Sequence, residues 1–152
     1  LLQETLAAAE PVARARKIAL GLDATEAITV RGERFLLAQA ASNLLQNALE
    51  FTPPGGVVTL GLRSAAVPQA ATGSETTGRV TLTVDDTGPG IPDYALPRLF
   101  ERFYSLPRPD TGAKSTGLGL SFVREIAHLH GGEITLANRP EGGTRAMLTL
   151  AE

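Results

Sequence analysis

The chain has 152 residues, 43% hydrophobic and 20% charged, with a net charge of −2; that is length for one domain with a sizeable core, without the basic field that favours nucleic acid or an anionic membrane surface. It has no cysteine and two histidines, His128 and His130, which excludes disulfides, thiolate catalysis, cysteine-based zinc sites and a histidine-rich metal centre. No apolar run approaches a bilayer span, no signal-peptide layout opens the chain, and the first residue is Leu1 rather than Met, so the sequence reads as a domain cut from a longer protein or as a processed one.

Residues 1–20 predict a helix interrupted near Pro11, and residues 18–22 and 28–31 are short strand candidates around a polar turn. Residues 33–51 carry Leu37, Ala41, Leu44, Leu45 and Ala48 at helical spacing. Thr52-Pro53-Pro54-Gly55-Gly56 stops that helix, and residues 57–62 read as a strand. Residues 64–78 are small, polar and aperiodic, and predict a connecting loop.

In the next strand Val80, Leu82 and Val84 share one face, while Thr81, Thr83 and Asp85 share the other. One further step puts Asp86 on the apolar side, where a carboxylate costs several kcal/mol unless it is satisfied. Gly88-Pro89-Gly90 cannot continue the strand, so Asp86 falls at its mouth, where a ligand can approach bare backbone. The alternative is an Asx-type turn ending a hairpin strand.

Residues 93–116 hold a short apolar element around Leu96, Leu99, Phe100 and Phe103, then a long Pro/Gly/Ser/Thr loop. Loops of that length are functional lids or disordered. Residues 118–129 form an amphipathic helix with Leu118, Phe122, Ile126 and Leu129 in register, stopped by Gly131-Gly132. Residues 133–137 and 144–150 make a closing hairpin. The order of elements predicts an α+β two-layer sandwich with helices on one face of a mixed sheet.

Three constellations can carry chemistry. Asn43 and Asn47 lie one helical turn apart, so their amides share a face; an amide oxygen suits Mg²⁺, which takes few protein ligands beside waters and phosphates. The alternative is a solvated stripe continuing Gln39 and Gln46. Gly117-Leu118-Gly119-Leu120 opens the later helix, where backbone N–H groups and the helix dipole favour an anion, although Gly-x-Gly also occurs as a plain helix start. Gly112-Ala113-Lys114-Ser115 lacks the glycines and preceding strand of a P-loop. His128 and His130 do not face one another on a helix, and read as structural residues at its C-terminal end.

Taken in order, Asn43-Leu44-Leu45-Gln46-Asn47-Ala48, Asp86-x-Gly88-x-Gly90, Leu99-Phe100-Glu101-Arg102-Phe103-Tyr104, Gly117-Leu118-Gly119-Leu120 and Gly142-Gly143-Thr144 resemble the five boxes of sensor histidine kinase catalytic domains. These belong to the gyrase/Hsp90/histidine-kinase/MutL superfamily and its Bergerat ATP-binding fold. The resemblance runs from about residue 26 to the end, and its second half is most similar to the CreC-type sensor kinases.

The resemblance implies roles. Asp86 would accept a hydrogen bond from the adenine amine, Gly88 and Gly90 would let base and ribose close on the backbone, and Ile91 would pack the base. Asn47 would ligate Mg²⁺, and Asn43 would contact phosphate or the water shell of the metal. Residues 104–116 would be an ATP lid anchored by Phe100 and Phe103, with Thr116, Gly117, Leu118, Gly119 and Leu120 around the phosphates. Thr144 would complete the adenine pocket. The family often has Lys where this chain has Glu50, which leaves Lys114 or Arg102 to supply positive charge.

The implied function is transfer of the ATP γ-phosphate to a histidine on a dimerisation domain, which has no match in this chain. Residues 1–15 would be the tail of that helical domain or a linker, and residues 16–152 the ATP-binding domain. The implied partners are that domain and a downstream response regulator. The implied setting is the cytoplasmic side of a homodimeric parent anchored in a bacterial inner or plasma membrane, the isolated domain being a monomer that binds no nucleic acid. The alternatives are an ATP hydrolase of the same superfamily and a non-catalytic nucleotide-sensing module. Hydrolases place a glutamate base where this chain has Asn43, and a neutral amide cannot take a proton from water.

Overall fold

The computed structural model describes residues 1–24, 26–68 and 76–151. In chain order its elements are α1 (Leu2–Ala15), β1 (Ala19–Ala24), α2 (Arg34–Phe51), β2 (Val57–Pro68), β3 (Thr76–Asp86), a 3-10 turn (Leu96–Arg98), α3 (Gly119–Leu129), β4 (Glu133–Asn138) and β5 (Thr144–Ala151). Among the described residues the strands form one mixed sheet in the order β1-β2-β3-β5-β4. β1 runs parallel to β2, with α2 as the crossover that a parallel pair requires. The other pairs are antiparallel.

Register follows the alternation in the sequence. Leu60 sits opposite Val84, Val84 opposite Ala146 and Ala146 opposite Leu136; Leu62, Leu82, Leu148 and Ile134 form the neighbouring row. A slip of one residue would turn both rows to solvent. The three helices cover this face, and Leu44, Leu45 and Leu49 of α2 with Val123, Ile126 and Ala127 of α3 close the core. The opposite face carries the half-buried Thr59, Thr81, Thr83 and Thr149. The two-layer α+β sandwich expected from the sequence is thus the observed architecture.

α2 begins where Glu33 accepts the Leu36 N–H at 3.0 Å, an acidic N-cap. It ends at the buried Thr52, whose hydroxyl donates to the Ala48 carbonyl at 2.7 Å, before two prolines that cannot extend it. His130, read as structural, has that place. Its Nδ1 lies 2.7 Å from the Ile126 carbonyl and its Nε2 accepts the Glu33 N–H at 3.1 Å, joining the end of α3 to the start of α2.

Four expectations are corrected. Pro11 does not interrupt the first helix, which runs unbroken through it. Pro11 and Ala7 are both exposed, which lets water reach the orphaned carbonyl, and packing of Leu2, Leu6, Ala9 and Ala13 on the core offsets the ~3 kcal/mol that an interior proline costs. The helix stops at Ala15 rather than residue 20, because Lys17 takes φ +58° and turns the chain into β1. Residues 28–31 form no strand; they connect β1 to α2 and bury part of Val30. Finally, residues 64–68 and 76–78 are not loop but the outer arm of the β2–β3 hairpin, paired from Ser64–Val80 to Pro68–Thr76. The sequence of this arm carries no regular apolar alternation from which a strand could be read. The remainder of the expected loop, residues 69–75, lies outside the described residues.

Residues 1–15, expected to be a tail or linker, form α1, and Ala13 on its inner face is fully buried in the common core.

Candidate functional site

The strand that carries Val80, Leu82 and Val84 inward carries Asp86 inward too, and Asp86 is 6% exposed. Its Oδ1 accepts the Gly88 N–H at 2.9 Å and the Thr144 N–H at 3.1 Å. Among the described residues nothing donates to Oδ2, and the side chain lines a cavity of about 230 Å³. Burial pushes the carboxyl pKa above its ordinary 3.8; the two N–H donors and the charge of Arg139 oppose that shift, and Asp85 adds to it. The group is a buried acceptor with one oxygen satisfied and the other without a partner among the described residues.

The surrounding backbone is closely fitted. A side chain at Gly88 would meet the Phe51 carbonyl at 2.6 Å, and one at Gly90 (φ +82°) would meet Asn138 Oδ1 at 2.8 Å. Asn138 takes Ile91 as a strand would, accepting its N–H at 2.6 Å and donating to its carbonyl at 2.9 Å. Arg139 donates to the Asp86 carbonyl at 2.7 Å. Sequence reasoning missed Asn138 and Arg139, because their positions read as a simple hairpin turn. Ile91, Leu99, Leu120 and Leu136 give the cavity an apolar floor.

Across the cavity, α2 presents Asn43 and Asn47 on one face. Gln39 Nε2 donates to Asn43 Oδ1 at 2.9 Å, so the Asn43 amide nitrogen is the group left for a ligand. Among the described residues the Asn47 side chain has no hydrogen-bond partner. The far wall is the start of α3, where Leu118 provides no side-chain cap and the first-turn N–H groups remain open. Thr116, Gly117, Gly119, Leu120 and Thr144 all line the cavity. Gly117 has φ +73°, and any Cβ there would overlap the Phe103 backbone.

Not every expected residue gathers there. Arg102 and Leu118 line a second, shallower hollow that shares Asn43 and Gly119 with the first, while Lys114 is exposed and lines neither. Gly88 acts from behind, through Asp86. Phe103, expected to anchor the lid, is 76% exposed with φ +67°. Its N–H bonds the Gly117 carbonyl at 3.0 Å, and that reversal turns the ring outward; Leu99 and Phe100 take the inward positions. The basic side chain that does line the main cavity is Arg108, paired with Glu50. Glu50 signalled a missing cation in the sequence, but an aperiodic loop gives no spacing from which to choose among its basic residues.

The residues present fit a nucleotide with Mg²⁺. A half-satisfied buried carboxylate over an apolar floor suits a base bearing an amine, and open helix N–H groups suit phosphates. Among the described residues no cluster of three or more His, Cys, Asp or Glu exists to cage a metal, so a metal here would rely on amide oxygen and phosphates, as Mg²⁺ does.

This fold and site define a class. Residues 32–152 match the family of histidine kinase-, DNA gyrase B-, and HSP90-like ATPases, and the chain belongs to that family. It is 54% identical over 135 residues to the sensor protein CreC of Escherichia coli strain K12, covering 89% of this chain and 26% of that protein. The catalytic domain of histidine kinase ThkA superposes with a TM-score of 0.79 at 26% identity, covering 98% of this chain and 90% of that one. Full-length ShkA in complex with AMPPNP gives 0.76 at 25% identity, covering 98% and 28%. The chain is thus similar to the ATPase-type catalytic domains of sensor histidine kinases, and spans about a quarter of the length of CreC.

Proposed function

We propose that the chain binds Mg²⁺·ATP in the Asp86 cavity and donates the γ-phosphate to a histidine on a dimerisation domain of its parent protein. The observation that carries this reading is the division of labour at Asp86: both backbone donors converge on Oδ1, leaving Oδ2 for the adenine amine. Ile91 and Leu136 would pack the base. Asn43 would donate to a phosphate oxygen, Asn47 would hold the metal, and the N–H groups at the start of α3 would receive the phosphates. Mg²⁺ held there would neutralise phosphate charge; the rest of phosphoryl transfer is positioning. Residues 104–116 would close over the nucleotide and keep water out. The parent would be a membrane-anchored bacterial homodimer with this domain on the cytoplasmic side, passing the phosphoryl group to a response regulator. Among the described residues no helix is long and apolar enough to cross a membrane.

Hydrolysis to free phosphate is the competing activity. It needs a base for water, and Asn43 offers an amide whose oxygen already accepts from Gln39. Incubation of the chain with γ-labelled ATP tests the choice. Alone it should neither label itself nor release phosphate at an appreciable rate. With the parent's histidine-bearing domain in trans it should give an acid-labile, base-stable product. Rapid phosphate release by the chain alone would establish the hydrolase instead, and binding without either reaction would leave a nucleotide-sensing module.

A further inference from the structure

Glu50 lies one turn beyond Asn47 on the face of α2 that lines the cavity, an unfavourable place for a carboxylate if phosphates arrive there. Arg108 answers it. Its Nε donates to Glu50 Oε2 at 2.8 Å and its Nη2 contacts the same oxygen, while Nη1 donates to Ser105 Oγ at 3.2 Å and to the Leu106 carbonyl at 3.1 Å. The guanidinium lies 4.5 Å over the Phe51 ring. Among the described residues no other Lys or Arg lines this cavity.

The two partners differ in what they tolerate. The Arg108 side chain is 11% exposed, whereas that of Glu50 is 32% exposed and its Oε1 already accepts from Gln46. Separated, Glu50 can rehydrate; Arg108 cannot, and needs another anion. A guanidinium fork is suited to accept phosphate oxygens in place of a carboxylate. We propose that Arg108 is the phosphate-contacting cation of this site and that Glu50 is its place-holder, which holds Arg108 turned inward until a nucleotide phosphate takes it over. The proposal rests on the nucleotide reading above and adds a residue and an exchange to it.

Calorimetric titration of the 152-residue chain with Mg²⁺·ATP and, separately, with adenosine tests it. Arg108→Ala should weaken ATP by about tenfold or more, the range of a lost charge-assisted contact, and leave adenosine within about twofold, which also shows that the variant is folded. Glu50→Lys combined with Arg108→Ala, which puts the cation on α2 instead of the loop, should recover most of the ATP affinity without changing adenosine. Equal losses for ATP and adenosine in Arg108→Ala, no loss for ATP, or a double variant no better than the single would each overturn the exchange. Wild-type protein that binds neither ligand would overturn the nucleotide reading itself, and the exchange with it.

Discussion

Asp86→Asn is an informative single change, because the structure dictates how the new amide must lie. In the native protein Oδ1 faces two N–H donors, Gly88 at 2.9 Å and Thr144 at 3.1 Å. An amide nitrogen there would oppose two donors, so the asparagine carbonyl must take that place and the NH₂ must face the cavity. The cavity then presents a donor where it had presented an acceptor. Adenine brings its own amine to that point, and both donors lose their partner in a site 6% exposed. Each unsatisfied buried group costs about 1–3 kcal/mol, one to two decades in affinity at about 1.4 kcal/mol per decade. Guanine brings a carbonyl oxygen, so its disadvantage should shrink in the variant. Titration of both proteins with Mg²⁺·ATP and Mg²⁺·GTP measures both effects, and thermal unfolding checks the fold. An Asp86→Asn variant that binds ATP within about twofold of wild type, or that keeps the wild-type ATP-to-GTP ratio, would refute the assignment of Oδ2 to the base.

The same carboxyl sets a pH dependence. Burial raises its pKa above 3.8, so from the unfolded value up to the folded one the native state holds more protons and its stability falls as pH rises. Denaturant unfolding across that window should show the advantage of wild type over Asp86→Asn declining with pH; a flat or rising difference contradicts it. Asn47→Ala should remove most of the Mg²⁺ dependence of ATP affinity and leave the melting temperature nearly unchanged, and calorimetry with and without Mg²⁺ reads it. Asn138→Ala frees both polar groups of Ile91 and should increase amide exchange at Gly90 and Ile91 and weaken adenosine as well as ATP. Gly143→Ala, at φ +83° and with its Cβ overlapping the Asp86 carbonyl oxygen, should destabilise by more than about 1 kcal/mol in denaturant unfolding.

Legibility in the sequence followed periodicity. The alternation Val80, Leu82, Val84 carried Asp86 to its buried position because a strand keeps parity to its last residue. The spacing of Leu44, Leu45 and Ala48 likewise placed Asn43 and Asn47 together on one wall. Where side chains do not alternate, the strand was invisible: Ser64, Ala65 and Gly78 pair through backbone alone. The family resemblance made Phe103 an anchor of the lid, yet a local φ of +67° turned it out. Arg108 and Asn138 act through contacts 58 and 47 residues away, and no local pattern encodes a distance of that kind.

Arg16, just after α1, donates to the carbonyls of Leu49, Glu50 and Thr52 and pairs with Asp110 at 3.0 Å. Remove Asp110 and Arg16 still has three acceptors from the end of α2, while Asp110, one-third exposed, goes to water. The loop tip therefore has two fastenings of different kinds. At Arg16 it can simply let go, and no buried charge is stranded; at Arg108 the guanidinium must pass from one anion to another. Since Arg16 also caps the first helix, the end of that helix, the end of α2 and the tip of the loop all meet at one side chain.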